Sequence, residues 1–233
     1  PYRRQRQMCI RDSRDFLYRF ASGVALQTEK NKAYFSRAVQ KKSRVIYNPI
    51  DLGDYAGIAQ TLEKEKKIVT AGRLMPQKNQ KMMVEAFAGV LKNHPDYELV
   101  IFGEGPCRRE LEELTGTLGI KDHVFLPGNV TDIYDQIKNA EIFVLSSDYE
   151  GMPNALIEAM CLGMLCISTK VSGATDLITD HENGILTEAG DREALEQAMR
   201  ELVENEELAK TLAKNAAKLN EDLEVSKIVQ QWV

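Results

Sequence analysis

From residue 66 onward, short apolar runs alternate with longer stretches whose apolar residues recur every three or four positions. The runs KIVTA (67–71), ELVIF (98–102), HVFL (123–126), EIFVL (141–145), LCIS (165–168) and the segment 185–187 are bounded by polar and turn residues and predict strands. Between them the helical period predicts helices near 80–92, 108–118, 132–138, 154–162 and 192–204. Strands that alternate with helices in this way imply an α/β fold: a Rossmann-like, doubly wound parallel sheet with helices on both faces. The tail, 206–233, predicts two more helices with Trp232 as a packing anchor.

The first 55 residues follow another pattern. Helix is expected at 16–20, strand at 23–27 (GVALQ), helix at 29–39 and strand at 44–46, with a turn at Asn48-Pro49. One βαβ unit cannot cover both faces of a sheet, so this piece is expected to be the end of a different domain. The expected division is 1–52 and 53–233, in a chain that is part of a longer protein. Charge divides similarly: residues 1–44 carry 12 Lys and Arg against 3 Asp and Glu, and the remainder carries 18 against 32. The arginines Arg3, Arg4, Arg6, Arg11, Arg14 and Arg19 lack the interleaved aromatics of a nucleic-acid site and read as a solvated face or one meeting a neighbour or an anionic membrane. No apolar run approaches the roughly 18 residues of a bilayer span. Cys9, Cys107, Cys161 and Cys166 have no metal or redox spacing and read as reduced thiols of a cytosolic protein.

Candidate chemistry gathers where strands end. Gly72-Arg73, Gly103-Glu104-Gly105, Pro127-Gly128 and Ser146-Ser147-Asp148 each follow a predicted strand, and a parallel sheet binds ligands beyond the carboxyl ends of its strands. One crevice could collect all four. The stretch EGMPNALIE (150–158) then sets two acids around a helix start. Pro153 suits the first helical position and leaves the N–H groups of Asn154, Ala155 and Leu156 free for an anion such as phosphate. Gly151 permits close backbone approach. Glu158, a turn into the helix, can accept from vicinal hydroxyls, and Glu150 can do so for a second hydroxylated ring. Arg73 and Lys78 supply the charge to neutralise a diphosphate. Each acid alone also fits a plain surface carboxylate, and Lys78 a solvated loop charge; their joint occurrence favours the site.

Gly72-Arg73-Leu74 with Lys78-Asn79, FGEGP (102–106), FLPG (125–128), SSDYEGMPNALIEAMCLG (146–163) and NGILTEAGD (183–191) together resemble the donor-binding, C-terminal half of the group 1, or family 4, retaining glycosyltransferases. The likeness runs over about 45–204. It implies GT-B architecture, two facing Rossmann-like domains with the active site between them, the first 52 residues being a remnant of the acceptor domain. It implies transfer of a hexosyl-type sugar from a nucleoside-diphosphate sugar, UDP-linked by family frequency, to a glycan or lipid-linked acceptor with retention of configuration. Arg73, Lys78 and Glu150 would be catalytic: the two cations on the donor diphosphate in place of a metal, Glu150 on hydroxyls of the transferred sugar. Gly72, Gly105, Gly128, Gly151, Met152, Pro153, Asn154, Ala155, Leu156 and Glu158 would bind the donor, with Glu158 on the ribose, and Gly103 and Val130 would lie near the base. No Asp-x-Asp pair occurs, so neither metal nor other cofactor is expected. The resemblance further implies a cytoplasmic enzyme working at the inner membrane face, with any membrane contact made through the N-terminal domain, and no nucleic-acid partner. One departure is the loop after the fifth strand, where the family's Gly-Gly and downstream Glu are replaced by Ser172-Gly173-Ala174 and Asp176.

Three other readings are weaker. A sugar-nucleotide epimerase of the same architecture needs a proton-transfer set, and the scattered His94, His123 and His181 do not provide one. An NAD-dependent dehydrogenase would need a third glycine after Gly103-Glu104-Gly105, which is absent. A nucleotide-sugar-binding fragment without activity is what the donor half alone is expected to be.

Overall fold

A computed structural model describes residues 16–232. Its main sheet has six parallel strands in the order β5-β4-β3-β6-β7-β8. They are β3 (Glu65–Ala71), β4 (Glu98–Phe102), β5 (Val124–Gly128), β6 (Ala140–Leu145), β7 (Leu165–Thr169) and β8 (Ile185–Thr187). Counted from β3, this is the 3-2-1-4-5-6 order of a doubly wound Rossmann sheet. All six predicted strands are present, with ends shifted by at most two residues.

The central strands β6 and β7 read as unbroken apolar runs because both of their faces are covered, as parallel sheets require. The period of two still sorts their side chains. Ile142, Val144, Leu165 and Ile167 enter one core, while Phe143, Leu145 and Cys166 enter the other. The first core lies under α3 (Gln80–Leu91), α4 (Arg108–Thr117) and α8 (Arg192–Glu204). The second lies under α5 (Ile133–Ile137), α6 (Asn154–Leu162) and α7 (Ala174–Leu177), a short helix that the sequence pattern did not predict.

A separate pair of parallel strands, β1 (Val24–Leu26) and β2 (Ser43–Val45), precedes this sheet. The expected helix over 29–39 is two short ones, α1 (Glu29–Lys32) and α2 (Arg37–Gln40). The chain turns at 33–35 and restarts after Ser36, whose extended backbone (ψ 154°) does not continue a helix. The tail forms three helices rather than two: α9 (Glu206–Ala217), α10 (Leu219–Asp222) and α11 (Val225–Gln230). Trp232 is not the anchor, being 65% exposed; Leu223 and Ile228 are buried instead. Arg19 is exposed, and the other N-terminal arginines lie outside the described residues, as does Cys9. Cys161 and Cys166 are buried free thiols, and burial pushes Cys161 up to about 12. Among the described residues no helix is long and apolar enough to cross a membrane.

Candidate functional site

Strand order reverses between β3 and β6, the switch point beyond whose carboxyl ends a doubly wound sheet places its ligand crevice. Backbone contacts draw the strand ends on one side of it together. Gly72 N–H donates to Phe102 O (2.9 Å), Gly103 N–H to Gly128 O (2.8 Å), and Leu74 N–H to Glu104 O (2.9 Å). Gly103 has φ +127°, and a Cβ there would lie 2.0 Å from the Gly72 carbonyl oxygen. Only glycine lets β3 and β4 end this close. Across the crevice a Cβ on Gly173 would lie 2.5 Å from both Gly151 O and Pro153 Cδ, so the β7–α7 loop presses on the start of α6.

The cationic residues differ in environment. Arg73 is exposed just past β3, and its guanidinium has no hydrogen bond or ion pair among the described residues. Lys78 closes a 3₁₀ turn (Pro76–Lys78), and Asn79 follows in the left-handed region (φ +45°). Asn79 holds its position by accepting from Met82 N–H (3.3 Å) and donating to Asp148 (2.8 Å). Lys78 is thereby aimed across the switch point, where its Nζ meets Glu150 Oε1 at 2.6 Å. Ser147 Oγ donates to the same oxygen at 2.8 Å. The Glu150 side chain is only 11% exposed and that of Lys78 21%, so the pair is largely shielded from solvent.

At α6 the structure corrects one expectation. Pro153 precedes the helix (φ −83°, ψ 91°) rather than opening it, and Leu156 N–H donates to Pro153 O at 3.0 Å. The N–H groups of Asn154 and Ala155 remain without acceptors among the described residues, so the anion-facing end is narrower by one group. Gly151 is exposed and Met152 half-buried. Glu158 lies one turn beyond Asn154 on the same side of the helix. Its carboxylate is half-buried with no partner among the described residues, and loss of solvation raises its pKa. Burial, and then the Glu158 charge, raise the pKa of the nearby Tyr134 phenol. Gly105 packs against Leu74, and Val130, half-buried, packs into the second core beyond β5.

The unpartnered Glu158 leads to a prediction with a defined sign. Its folded pKa lies above the unfolded value, so within that interval the folded chain holds the extra proton and stability falls as pH rises. Above the interval a charged carboxylate stays buried at a cost. Glu158→Gln is therefore expected to raise the melting temperature at neutral pH, with the gain fading as the pH drops below the ordinary carboxylate range. Thermal melts of both proteins between pH 4 and 8 check it; a lower melting temperature for the variant at neutral pH contradicts it. A half-buried carboxylate with a raised pKa beyond strand ends is a candidate ligand contact.

The N-terminal segment also reaches the crevice, and sequence reasoning missed these contacts. Gln27 Nε2 donates to Asn48 Oδ1 (2.9 Å), and Asn48 Nδ2 donates to Asn154 Oδ1 (2.8 Å) at the start of α6. Thr28, fully buried, shares a hydrogen bond with Ser172 (3.0 Å), and Glu29 N–H donates to Asp176 (2.7 Å). The departing residues Ser172 and Asp176 thus hold the preceding segment. The histidines lie elsewhere: His94, His123 and His181 precede β4, β5 and β8 and so sit at the amino ends of strands, opposite the crevice. His94 pairs with Glu204, and His181 with Asp180 and Glu201.

Comparison with known proteins gives the family. Residues 57–219 match the family model for glycosyl transferases group 1, and the chain belongs to that family. It is 33% identical over 218 residues to the Campylobacter jejuni GalNAc-alpha-(1->4)-GalNAc-alpha-(1->3)-diNAcBac-PP-undecaprenol alpha-1,4-N-acetyl-D-galactosaminyltransferase, covering 93% of this chain and 60% of that one. It is 32% identical over 171 residues to the Escherichia coli UDP-Gal:alpha-D-GlcNAc-diphosphoundecaprenol alpha-1,3-galactosyltransferase, covering 68% of this chain and 44% of that one. The crystal structure of Anabaena HepE in complex with UDP and glucose superposes with a TM-score of 0.79 at 25% identity, over 92% of this chain and 63% of that one. The fold is that of GT-B glycosyltransferases. The chain spans less than two thirds of the length of each of these relatives.

Proposed function

We propose that this chain is the donor-binding half of a glycosyltransferase that moves a hexosyl group from a UDP-sugar to a lipid-linked or other glycan acceptor, with retention of configuration. The observation that carries the reading is the meeting of complementary groups at one switch point. Arg73 and the Glu158 carboxylate, neither with a partner among the described residues, the Lys78–Glu150 pair and the open N-terminus of α6 all lie beyond the ends of β3 and β6. Uridine is favoured by the HepE complex with UDP and by the UDP-Gal named for the E. coli relative. A lipid-linked acceptor is favoured by the undecaprenol substrates named for both curated relatives, and such an acceptor would bring the enzyme to the cytoplasmic membrane face.

In this reading Arg73 and Lys78 bind the diphosphate and stabilise the charge that grows on it as the bond from the anomeric carbon breaks. The free N–H groups of Asn154 and Ala155 face the same phosphates. Glu158 accepts from the ribose hydroxyls, and Glu150 from hydroxyls of the departing sugar. The acceptor oxygen bonds to the anomeric carbon on the face the diphosphate leaves, its proton passes to the leaving phosphate oxygen, and UDP departs. With Arg73 and Lys78 carrying the positive charge, no metal is required. Acceptor positioning is worth about 7–11 kcal/mol in favourable cases and falls to the other half of the crevice, so the 233-residue chain alone should bind donor and transfer little.

Calorimetry with UDP, GDP and ADP, with and without a chelator, tests this. UDP is expected to bind most tightly and equally well in both conditions; binding by none of the three would end the proposal. Glu158→Gln should weaken UDP binding about tenfold or more, since a hydrogen bond to a charged acceptor contributes roughly 1.5–3 kcal/mol. Glu150→Gln should do the reverse. It frees Lys78 from its 2.6 Å partner and removes a negative charge beside the diphosphate, so UDP should bind severalfold more tightly while sugar transfer by the full-length enzyme falls. Weaker UDP binding by this variant would contradict the partner exchange.

A further inference from the structure

The amino ends of the strands carry a second concentration of charge. A cleft of about 650 Å³ lies there, between α9 on one side and the starts of β3, β6 and β7 on the other. Its volume falls in the range of small-molecule sites. Small residues make the room: Ala209 and Ala213, one turn apart on α9, face Ala59 and Gly163. Leu165 and Val203 complete an apolar wall.

Two pairs of lysines converge on this wall, each at the spacing its element demands. Lys64 and Lys66 are two residues apart where the chain enters β3, and so point to one side of the strand. Lys210 and Lys214 are four apart and so share a side of α9. Lys66 is paired with Asp96, and Lys210 with Glu206 at 2.6 Å. The other two have no carboxylate partner among the described residues. Lys64 Nζ reaches only the carbonyls of Lys138 (3.4 Å) and Ala140 (3.3 Å), and Lys214 has no ion pair among the described residues. Surrounding protein displaces water from the Lys64 ammonium and lowers it to about 8, with the Glu141 charge acting in the opposite direction. Glu141 is engaged by the Tyr97 hydroxyl at 2.6 Å, and burial raises its pKa, which weakens it as a counter-ion. Four lysines against Glu141 and Glu206 leave the lining net positive in a chain of net charge −5.

We infer that this cleft is a second ligand site, at the opposite edge of the sheet from the donor crevice, for a soluble amphipathic anion: an apolar body bearing one phosphate or carboxylate held between Lys64 and Lys214. The apolar wall takes the body, and the two lysines without carboxylate partners take the head. A bare anion has nothing to bury against the wall, and a neutral amphiphile leaves both ammonium groups unmatched.

Octyl phosphate tests it by calorimetry below its micellar range, with inorganic phosphate and octanol as its separate halves. Saturable binding of octyl phosphate is expected, at least tenfold tighter than either half. It should weaken at least tenfold in the Lys64→Gln/Lys214→Gln double variant, whose fold is checked by circular dichroism, and persist in Arg73→Glu. Octyl phosphate binding no tighter than inorganic phosphate, or undiminished in the double variant, overturns the assignment. Loss in Arg73→Glu would place the ligand in the donor crevice and overturn it equally. Preferential sedimentation with phosphatidylglycerol vesicles, without uptake of soluble octyl phosphate, would show a bilayer-facing surface in place of a pocket.

Discussion

Replacing Arg73 with Glu is expected to abolish the proposed binding of UDP to this chain while leaving the fold intact. Arg73 is exposed and its guanidinium has no partner among the described residues, so its removal breaks no internal contact. Surface changes of that kind stay within about 0.5 kcal/mol of neutral for stability. The diphosphate loses a facing cation and gains a facing anion. A single pair of charges about 4 Å apart is worth about 4 kcal/mol at a surface-like dielectric, and reversal changes the sign of that term. Even with heavy discount for screening, a loss of at least about 1000-fold follows, which places binding beyond the reach of an ordinary titration. Arg73→Lys should keep part of the affinity, because it preserves the charge and loses the planar fork that matches a phosphate edge. Raising the salt concentration should weaken UDP binding by the wild type and by Arg73→Lys alike, since both keep the cation whose attraction salt screens. A melting temperature equal to wild type, with UDP bound within threefold of wild type, would falsify the role given to Arg73.

The framework of this prediction was legible in the sequence for definable reasons. Strands such as ELVIF and helices such as NALIEAMCL match the structure residue for residue, because a sheet covered on both faces forces continuous apolar runs bounded by glycine and polar loops. The glycines at 72, 103, 105 and 128 mark strand ends that come within hydrogen-bonding distance, a demand no other residue type satisfies at Gly103. What escaped was long-range. Periodicity cannot show that Lys78 and Glu150, 72 positions apart, share one oxygen-to-nitrogen contact, nor that Asn48 reaches Asn154 across 106. The break at 33–35 carries neither proline nor glycine, so nothing local announced that one helix would become two. Residue type alone points to Trp232 as the anchor, whereas burial in the tail follows Leu223 and Ile228, which reach the cluster under α6. At α6 the sequence points to three free N–H groups where the structure leaves two. A 3₁₀-like first turn satisfies Leu156, and the sequence does not distinguish such a turn from a regular one.

The second large effect falls on folding and shows how the crevice depends on that close approach. Gly103→Ala is expected to destabilise the chain by about 3 kcal/mol or more, from two causes that act together. The backbone at Gly103 has φ +127°, where a side chain costs roughly 1–3 kcal/mol. The added Cβ would also sit 2.0 Å from the Gly72 carbonyl oxygen and 2.8 Å from its carbon, and both obstacles are backbone that cannot rotate away. Forcing a methyl into a packed site costs a further 1–3 kcal/mol or so. Relief requires β3 and β4 to part at their carboxyl ends, which would stretch the Gly72-to-Phe102 bond and move Arg73 with it. A domain of this kind has about 5–15 kcal/mol of stability in total, so the variant should remain folded at 25 °C but melt many degrees lower. Gly151→Ala serves as the control on the same crevice: no atom lies within 4 Å of its added Cβ, and its melting temperature should stay within a degree or two of wild type. Chemical denaturation of the two variants side by side decides the matter. Equal midpoints would mean that the strand ends are free to separate, and that the crevice is not held to the width these glycines set.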